Sequence, residues 1–72
     1  MSVELGRRIR GLRRLKGFTQ QELADQVNIS VSLLSNIERG LRRPKPLLLE
    51  QVALTLDVPA EELFFLPAQS CN

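Results

Sequence analysis

The sequence predicts an all-α fold, a compact bundle of five helices, and three observations carry that prediction. Apolar residues recur at helical spacing along most of the chain, with no segment of strand period, no internal repeat and no low-complexity tract. Residues that start and stop helices stand at the ends of each periodic run. The chain has 72 residues, enough for one domain only. A domain of this size buries roughly 60% of the surface its unfolded chain exposes, so its core is marginal and a partner subunit would help. With three Phe and neither Trp nor Tyr, aliphatic side chains must supply most of that core.

The first helix is expected over Val3 to Lys16, with Leu5, Ile9, Leu12 and Leu15 as its apolar stripe and Gly17 as its stop. Phe18 follows as a core anchor. Gly6 and Gly11 each weaken this helix by about 1 kcal/mol relative to Ala, and either can permit close packing of a neighbour. Thr19 opens a second helix as N-cap, with Glu22 three residues on to complete a capping box. Leu23, Ala24 and Val27 point inward, and Asn28 lets the chain leave quickly, because Asn enters the left-handed region cheaply. Ile29 plugs the turn.

Ser30 can cap a third helix that ends at Gly40. At about 100° per residue, Leu34 and Ile37 fall on one side, and Val31, Ser32, Ser35, Asn36 and Arg39 share the other. Alone, that second face fits the polar exterior of any amphipathic helix. Together with the preceding helix, the tight turn and a small residue at Ala24, where two helices must approach, it reads as a helix-turn-helix over residues 19–40. Such a unit reads the DNA major groove. Leu41 to Lys45 is a basic, Pro-containing loop. Pro46 begins a fourth helix with Leu49, Val52, Ala53 and Leu56 inward, and Asp57 ends it. Pro59 opens a short fifth helix with Glu61 and Glu62 near its positive end and Leu63 inward, closed by Pro67.

Net charge is +2, yet all ten Lys and Arg lie at or before Lys45. Against Glu4, Glu22, Asp25 and Glu38 they give residues 1–45 a charge of +6, while Glu50, Asp57, Glu61 and Glu62 give residues 46–72 a charge of −4. The amino-terminal half is suited to a polyanion and the acidic half to protein. With no His, a single Cys near the end, no carboxylate pair with a plausible cleft and no Gly-rich phosphate loop after a strand, neither catalysis nor a metal site nor a cofactor is expected. Cys71 excludes an intramolecular disulfide, fits a reducing cytoplasm, and reads as a free thiol in a frayed tail. Met1 to Arg10 carries charges where a signal peptide would be apolar, and no apolar run approaches the ~20 residues that span a bilayer.

Four stretches carry a resemblance to a known family: LGRRIRGLRRLKGFTQQELAD at Leu5 to Asp25, ISVSLLSNIERG at Ile29 to Gly40, RRP at Arg42 to Pro44, and LEQVALTLDV at Leu49 to Val58. The chain resembles the Cro/Xre family of bacterial and phage repressors over nearly its whole length, and TQQELA and SNIERG are the specific pieces. The resemblance implies a lambda-repressor-like fold, with residues 1–66 as the DNA-binding domain, helices over 46–66 also dimerising, and 67–72 as a tail. It departs from the family at Asn28 and Asp57, where relatives use Gly, and at Leu47, Leu48 and Leu54, which the family tends to keep polar.

By the same resemblance, Gln20 should meet a phosphate, with Ser30, Arg39, Arg42 and Arg43 adding phosphate contacts. Val31, Ser32, Ser35 and Asn36 are the candidates for base edges: Asn can pair bidentately with adenine, Ser serves either polarity, and Val can touch a thymine methyl. No arginine occupies the central reading positions, so guanine selection is not expected there unless Arg39 reaches a base. Relatives with Arg and Glu at positions 13 and 38 hold a buried structural ion pair. Leu47, Leu48, Leu54, Phe64 and Phe65 are expected at a homodimer interface, because one of Phe64 and Phe65 can complete a small core but some of these side chains must be surplus to a monomer. The function implied is a cytoplasmic, nucleoid-associated transcriptional regulator, a repressor or autoregulator that reads a palindromic operator on double-stranded DNA. The alternative is an antitoxin-type module whose main partner is a protein, a toxin or an anti-repressor. A third reading, the DNA-reading head of a larger regulator, would need a sensor domain that this sequence does not carry.

Overall fold

A computed structural model describes residues 3–64. Five helices follow in order: α1 Val3–Leu15, α2 Gln20–Gln26, α3 Val31–Glu38, α4 Pro46–Leu56 and α5 Glu61–Phe64. Among the described residues there is no strand. Helix α1 packs on α3 and α5, α2 packs on α3 and α4, and α4 closes on α5. One core results, built from Ile9 of α1, Leu23 and Ala24 of α2 with Val27 at its carboxy-terminal cap, Leu34 and Ile37 of α3, Leu49, Val52, Ala53 and Leu56 of α4, and Leu63 of α5.

Helices α1 to α4 all end in the same way. The chain enters the left-handed region at Gly17, Asn28, Gly40 and Asp57, with φ of 83°, 60°, 80° and 59°. Each of these amides donates to a carbonyl three residues back, and the next amide donates five residues back: Phe18 to Arg13 at 2.9 Å, Ile29 to Ala24 at 3.0 Å, Leu41 to Asn36 at 2.8 Å, Val58 to Ala53 at 3.0 Å. This is the Schellman termination, and it satisfies carbonyls that the helix leaves without partners. Asn and Asp adopt the left-handed conformation at some cost, which is why glycine is common there. The residue after each turn is apolar. Phe18, Ile29 and Val58 fold back on the core, whereas Leu41 stands 58% exposed beside the basic loop.

At the helix starts the side chains do the capping. Thr19 Oγ1 accepts from the Glu22 amide at 3.0 Å and the Thr19 amide donates to Glu22 Oε1 at 2.9 Å, completing the capping box. Ser30 Oγ accepts from the Leu33 amide at 3.0 Å. Helix α4 has no side-chain cap and begins on Pro46, whose missing N–H is one that needs no partner there. Helix α1 rests on α3 through Gly6, where a Cβ would lie 2.5 Å from the Ile37 carbonyl oxygen and collide with that of Glu38. Gly11 faces open space, so it serves no packing purpose.

Three sequence expectations need correction. Leu15 is 76% exposed and not part of the core stripe: α1 ends on it, and Phe18, returned by the turn at Gly17, takes the inward place. Val31 is half-buried against the core instead of lying wholly on the outer face. Leu48 also packs on its own core, since it neighbours the inward stripe of Leu49 and Val52, so a single chain already absorbs it. Leu47 and Leu54, at 66% and 81% exposure, remain outside. The Phe64 side chain, Phe65, Pro67 and Cys71 lie outside the described residues.

Candidate nucleic-acid interface

The outward face of α3 is made of short polar side chains. Ser32 is exposed, Ser35 and Asn36 are half-buried, and Arg39 is exposed at the carboxy-terminal cap. Ser30, exposed at the other end, uses its oxygen for the cap and keeps its hydroxyl proton for an outside acceptor. No bulky side chain rises between Ser32 and Asn36 on this face, so the helix backbone can approach a groove floor closely.

The basic loop is registered against that face. The Asn36 carbonyl accepts from the Leu41 amide and, at 3.4 Å, from the Arg42 amide. Pro44 is buried and anchors the far side of the loop, while Arg42 and Arg43 between these two anchors are exposed. Arg39, Arg42, Arg43 and Lys45 therefore form a cationic rim at one end of α3, and none of the four has a carboxylate within 4.0 Å among the described residues. Such a rim suits phosphate oxygens, which position a protein on DNA without reading sequence.

Behind the face lies a buried polar knot around Glu38, whose side chain has no exposed surface. Arg13 grips it in a two-pronged pair, Nε to Oε2 at 2.6 Å and Nη2 to Oε1 at 3.2 Å, and turns Nη1 to the Phe18 carbonyl at 2.8 Å. Gln20 Nε2 adds a bond to Oε1 at 3.0 Å, and Arg10 Nε approaches the same oxygen at 3.5 Å. Burial disfavours the carboxylate and is the largest single influence on it. The hydrogen bonds from Arg13 and Gln20, the charge of Arg13 and the contact of Arg10 together outweigh burial and hold the Glu38 carboxyl below its ordinary value. The knot joins α1, α2 and α3, so it fixes the angle at which α3 is presented.

Gln20 thus has a protein partner that sequence reasoning did not foresee. With one N–H committed to Glu38, it retains a second N–H and its carbonyl for a ligand. Arg10 was also missed, although its place three residues before Arg13 on α1 was a usable signal. A second tie, from Arg8 to the Glu62 carboxylate and to the Glu62 carbonyl at 2.6 Å, holds α5 against α1.

Comparison with known proteins agrees with this geometry. Residues 9–63 match the family model described as Helix-turn-helix, HTH_3. The chain is 48% identical to the HTH-type transcriptional regulator YazB of Bacillus subtilis over 88% of its own length and 93% of YazB. Among solved structures, it superimposes with a TM-score of 0.82 on the restriction-modification controller protein C.AhdI from Aeromonas hydrophila, at 35% identity, covering 86% of this chain and 94% of that one. SinR, the master regulator for biofilm formation, has been solved in complex with DNA and matches with a TM-score of 0.78 and 39% identity, covering 83% of this chain and 97% of that one. The chain spans only 54% of full-length SinR of Bacillus subtilis. No described helix is long and apolar enough to cross a membrane.

Proposed function

The chain belongs to the helix-turn-helix family of DNA-binding transcriptional regulators, a family that is not enzymatic, and from that premise we propose that it is a homodimeric repressor or autoregulator of a palindromic operator. The observation that carries this reading is the pairing of an outer α3 face of short polar residues with a cationic rim locked to it through the Asn36 carbonyl. In the proposed complex, Ser32, Ser35 and Asn36 meet base edges in the major groove, with Val31 contributing whatever of its methyl surface the core leaves free. Gln20, Ser30, Arg39, Arg42 and Arg43 hold phosphates. Residues 1–66 act as the DNA-binding unit, working in the cytoplasm at the nucleoid.

The dimer reading is supported by Leu47 and Leu54, the two most exposed leucines of α4. They are seven residues apart, hence on one stripe of the helix, with Gln51 between them. Two copies of α4 packed antiparallel about a two-fold axis near Gln51 would set each Leu47 against the partner's Leu54, a self-complementary arrangement of the kind two-fold interfaces require. Two α3 helices about 34 Å apart would then meet successive major grooves. Sedimentation equilibrium at micromolar concentration tests this directly. We expect a dimer for the natural chain and a folded monomer for Leu54→Glu, because that side chain is outside the core. A natural chain that stays monomeric even when bound to its operator would refute the dimer.

A further inference from the structure

We propose that Arg10 of α1 is a phosphate-binding residue of the DNA interface, presented there by the Glu38 knot; this rests on the reading of α2 and α3 as the DNA-facing unit. Each carboxylate oxygen offers about two lone-pair positions. Glu38 Oε1 already accepts from Arg13 Nη2 at 3.2 Å and Gln20 Nε2 at 3.0 Å, and Oε2 accepts from Arg13 Nε at 2.6 Å. Arg10 arrives at the oxygen that is already filled, and its 3.5 Å separation reflects attraction without a well-formed bond.

The two arginines are therefore in different chemical situations. Arg13 is buried and its Nε, Nη1 and Nη2 are all engaged. Arg10 is 39% exposed at its side chain and turns only Nε toward Glu38, so the four N–H groups of its Nη1 and Nη2 have no partner among the described residues. Charge points the same way. One carboxylate faces two guanidinium groups, which leaves a net unit of positive charge at the knot, and Glu38 is the only carboxylate within 4.0 Å of Arg10 among the described residues. That surplus is held beside Gln20, at the first turn of α2, and a phosphate oxygen is the ligand whose planar, two-pronged recognition a half-exposed guanidinium suits.

The test uses the full chain with Arg10→Gln and Arg10→Lys variants and a fluorescein-labelled random-sequence duplex, titrated by anisotropy from about 50 to 200 mM salt. Arg10→Gln should lower the slope of log K against log salt by about 0.9, the value for one lost phosphate contact, and weaken binding at the low-salt end by roughly 3-fold or more relative to the high-salt end. Arg10→Lys should restore most of the slope. Thermal midpoints are measured in parallel, and the Gln variant should stay within about 8 °C of the natural chain, since a half-exposed guanidinium without a well-formed bond contributes under about 1 kcal/mol. An unchanged slope overturns the proposal, and an unchanged slope with a large fall in midpoint assigns Arg10 to the buried knot alone. A natural chain with no salt-dependent affinity for the duplex would overturn both the proposal and the reading beneath it.

Discussion

Replacing Glu38 by Gln is the most informative single change available, because it preserves shape and removes charge at the one buried carboxylate. In the native chain Oε1 and Oε2 accept three hydrogen bonds, two from Arg13 and one from Gln20. Glutamine can keep one acceptor oxygen toward Arg13 Nε. Its NH2 group then confronts Arg13 Nη2 and Gln20 Nε2, donor against donor, so two bonds are lost. Charge-assisted bonds are worth about 1.5–3 kcal/mol each, which agrees with the roughly 3–5 kcal/mol usual for breaking a buried pair from one side. Against a total stability of about 4–11 kcal/mol for a chain this long, that is a severe loss. At about 4–8 °C per kcal/mol, the midpoint should fall by at least about 12 °C in a calorimetric scan at neutral pH. Substituting both partners, Arg13→Met with Glu38→Leu, should recover much of that loss, because no unpaired charge is then buried. The pH dependence has a defined sign. A carboxyl held below its unfolded value of about 4.5 contributes its stability above that value and loses it as pH falls through the folded one, so the gap between natural and Gln chains should narrow on acidification below about pH 4.5. A Gln variant melting within about 2 °C of the natural chain, or a double variant that loses the sum of the two single effects, would refute the reasoning.

Asn36→Ala should cost about 1–3 kcal/mol on the cognate operator and little on random DNA, whereas Arg43→Ala should weaken both and flatten the salt dependence by about 0.9. Anisotropy titrations on the two duplexes separate these, and equal losses for Asn36→Ala would remove it from the base-reading set. Two glycines of α1 should respond oppositely to alanine. Gly6→Ala drives a Cβ into the Ile37 and Glu38 carbonyls and should destabilise by about 1–3 kcal/mol, while Gly11→Ala meets nothing and should stabilise by about 1 kcal/mol; urea melts of both variants check the contrast.

Features written in short stretches of sequence were legible before the structure. Thr19 with Glu22, Ser30, Pro46 and the four turn residues Gly17, Asn28, Gly40 and Asp57 each act within a few residues of themselves, so their chemistry announces the helix ends directly. Leu15 misled because it is the last residue of α1, where helical spacing still holds but no neighbour covers the side chain, and Phe18, swung inward by the turn, is the one that packs on the core. The outer face of α3 was legible in outline, but the sharing of Val31 between core and surface depends on how α3 is tilted by its neighbours. The Glu38 knot and the Arg8 tie join residues 18 to 54 positions apart. Only the packed arrangement of α1 against α3 and α5 brings those partners together, and nothing local encodes it.

The Arg8 tie to Glu62 has a consequence for the order in which the protein can take shape as it is made. Helix α1 leaves the ribosome before the other four helices, yet one of the two surfaces it packs against, α5, is the last of the five to be synthesised. Until Glu62 emerges, α1 lacks its tie to α5, and α1 carries the Arg13 that locks Glu38 and so the pose of α3. The helix-turn-helix unit over residues 19–40 is complete as polypeptide well before that moment. A nascent chain halted ahead of α5 would therefore display the reading helix on an unfastened frame, and firm attachment to DNA should wait until α5 has emerged.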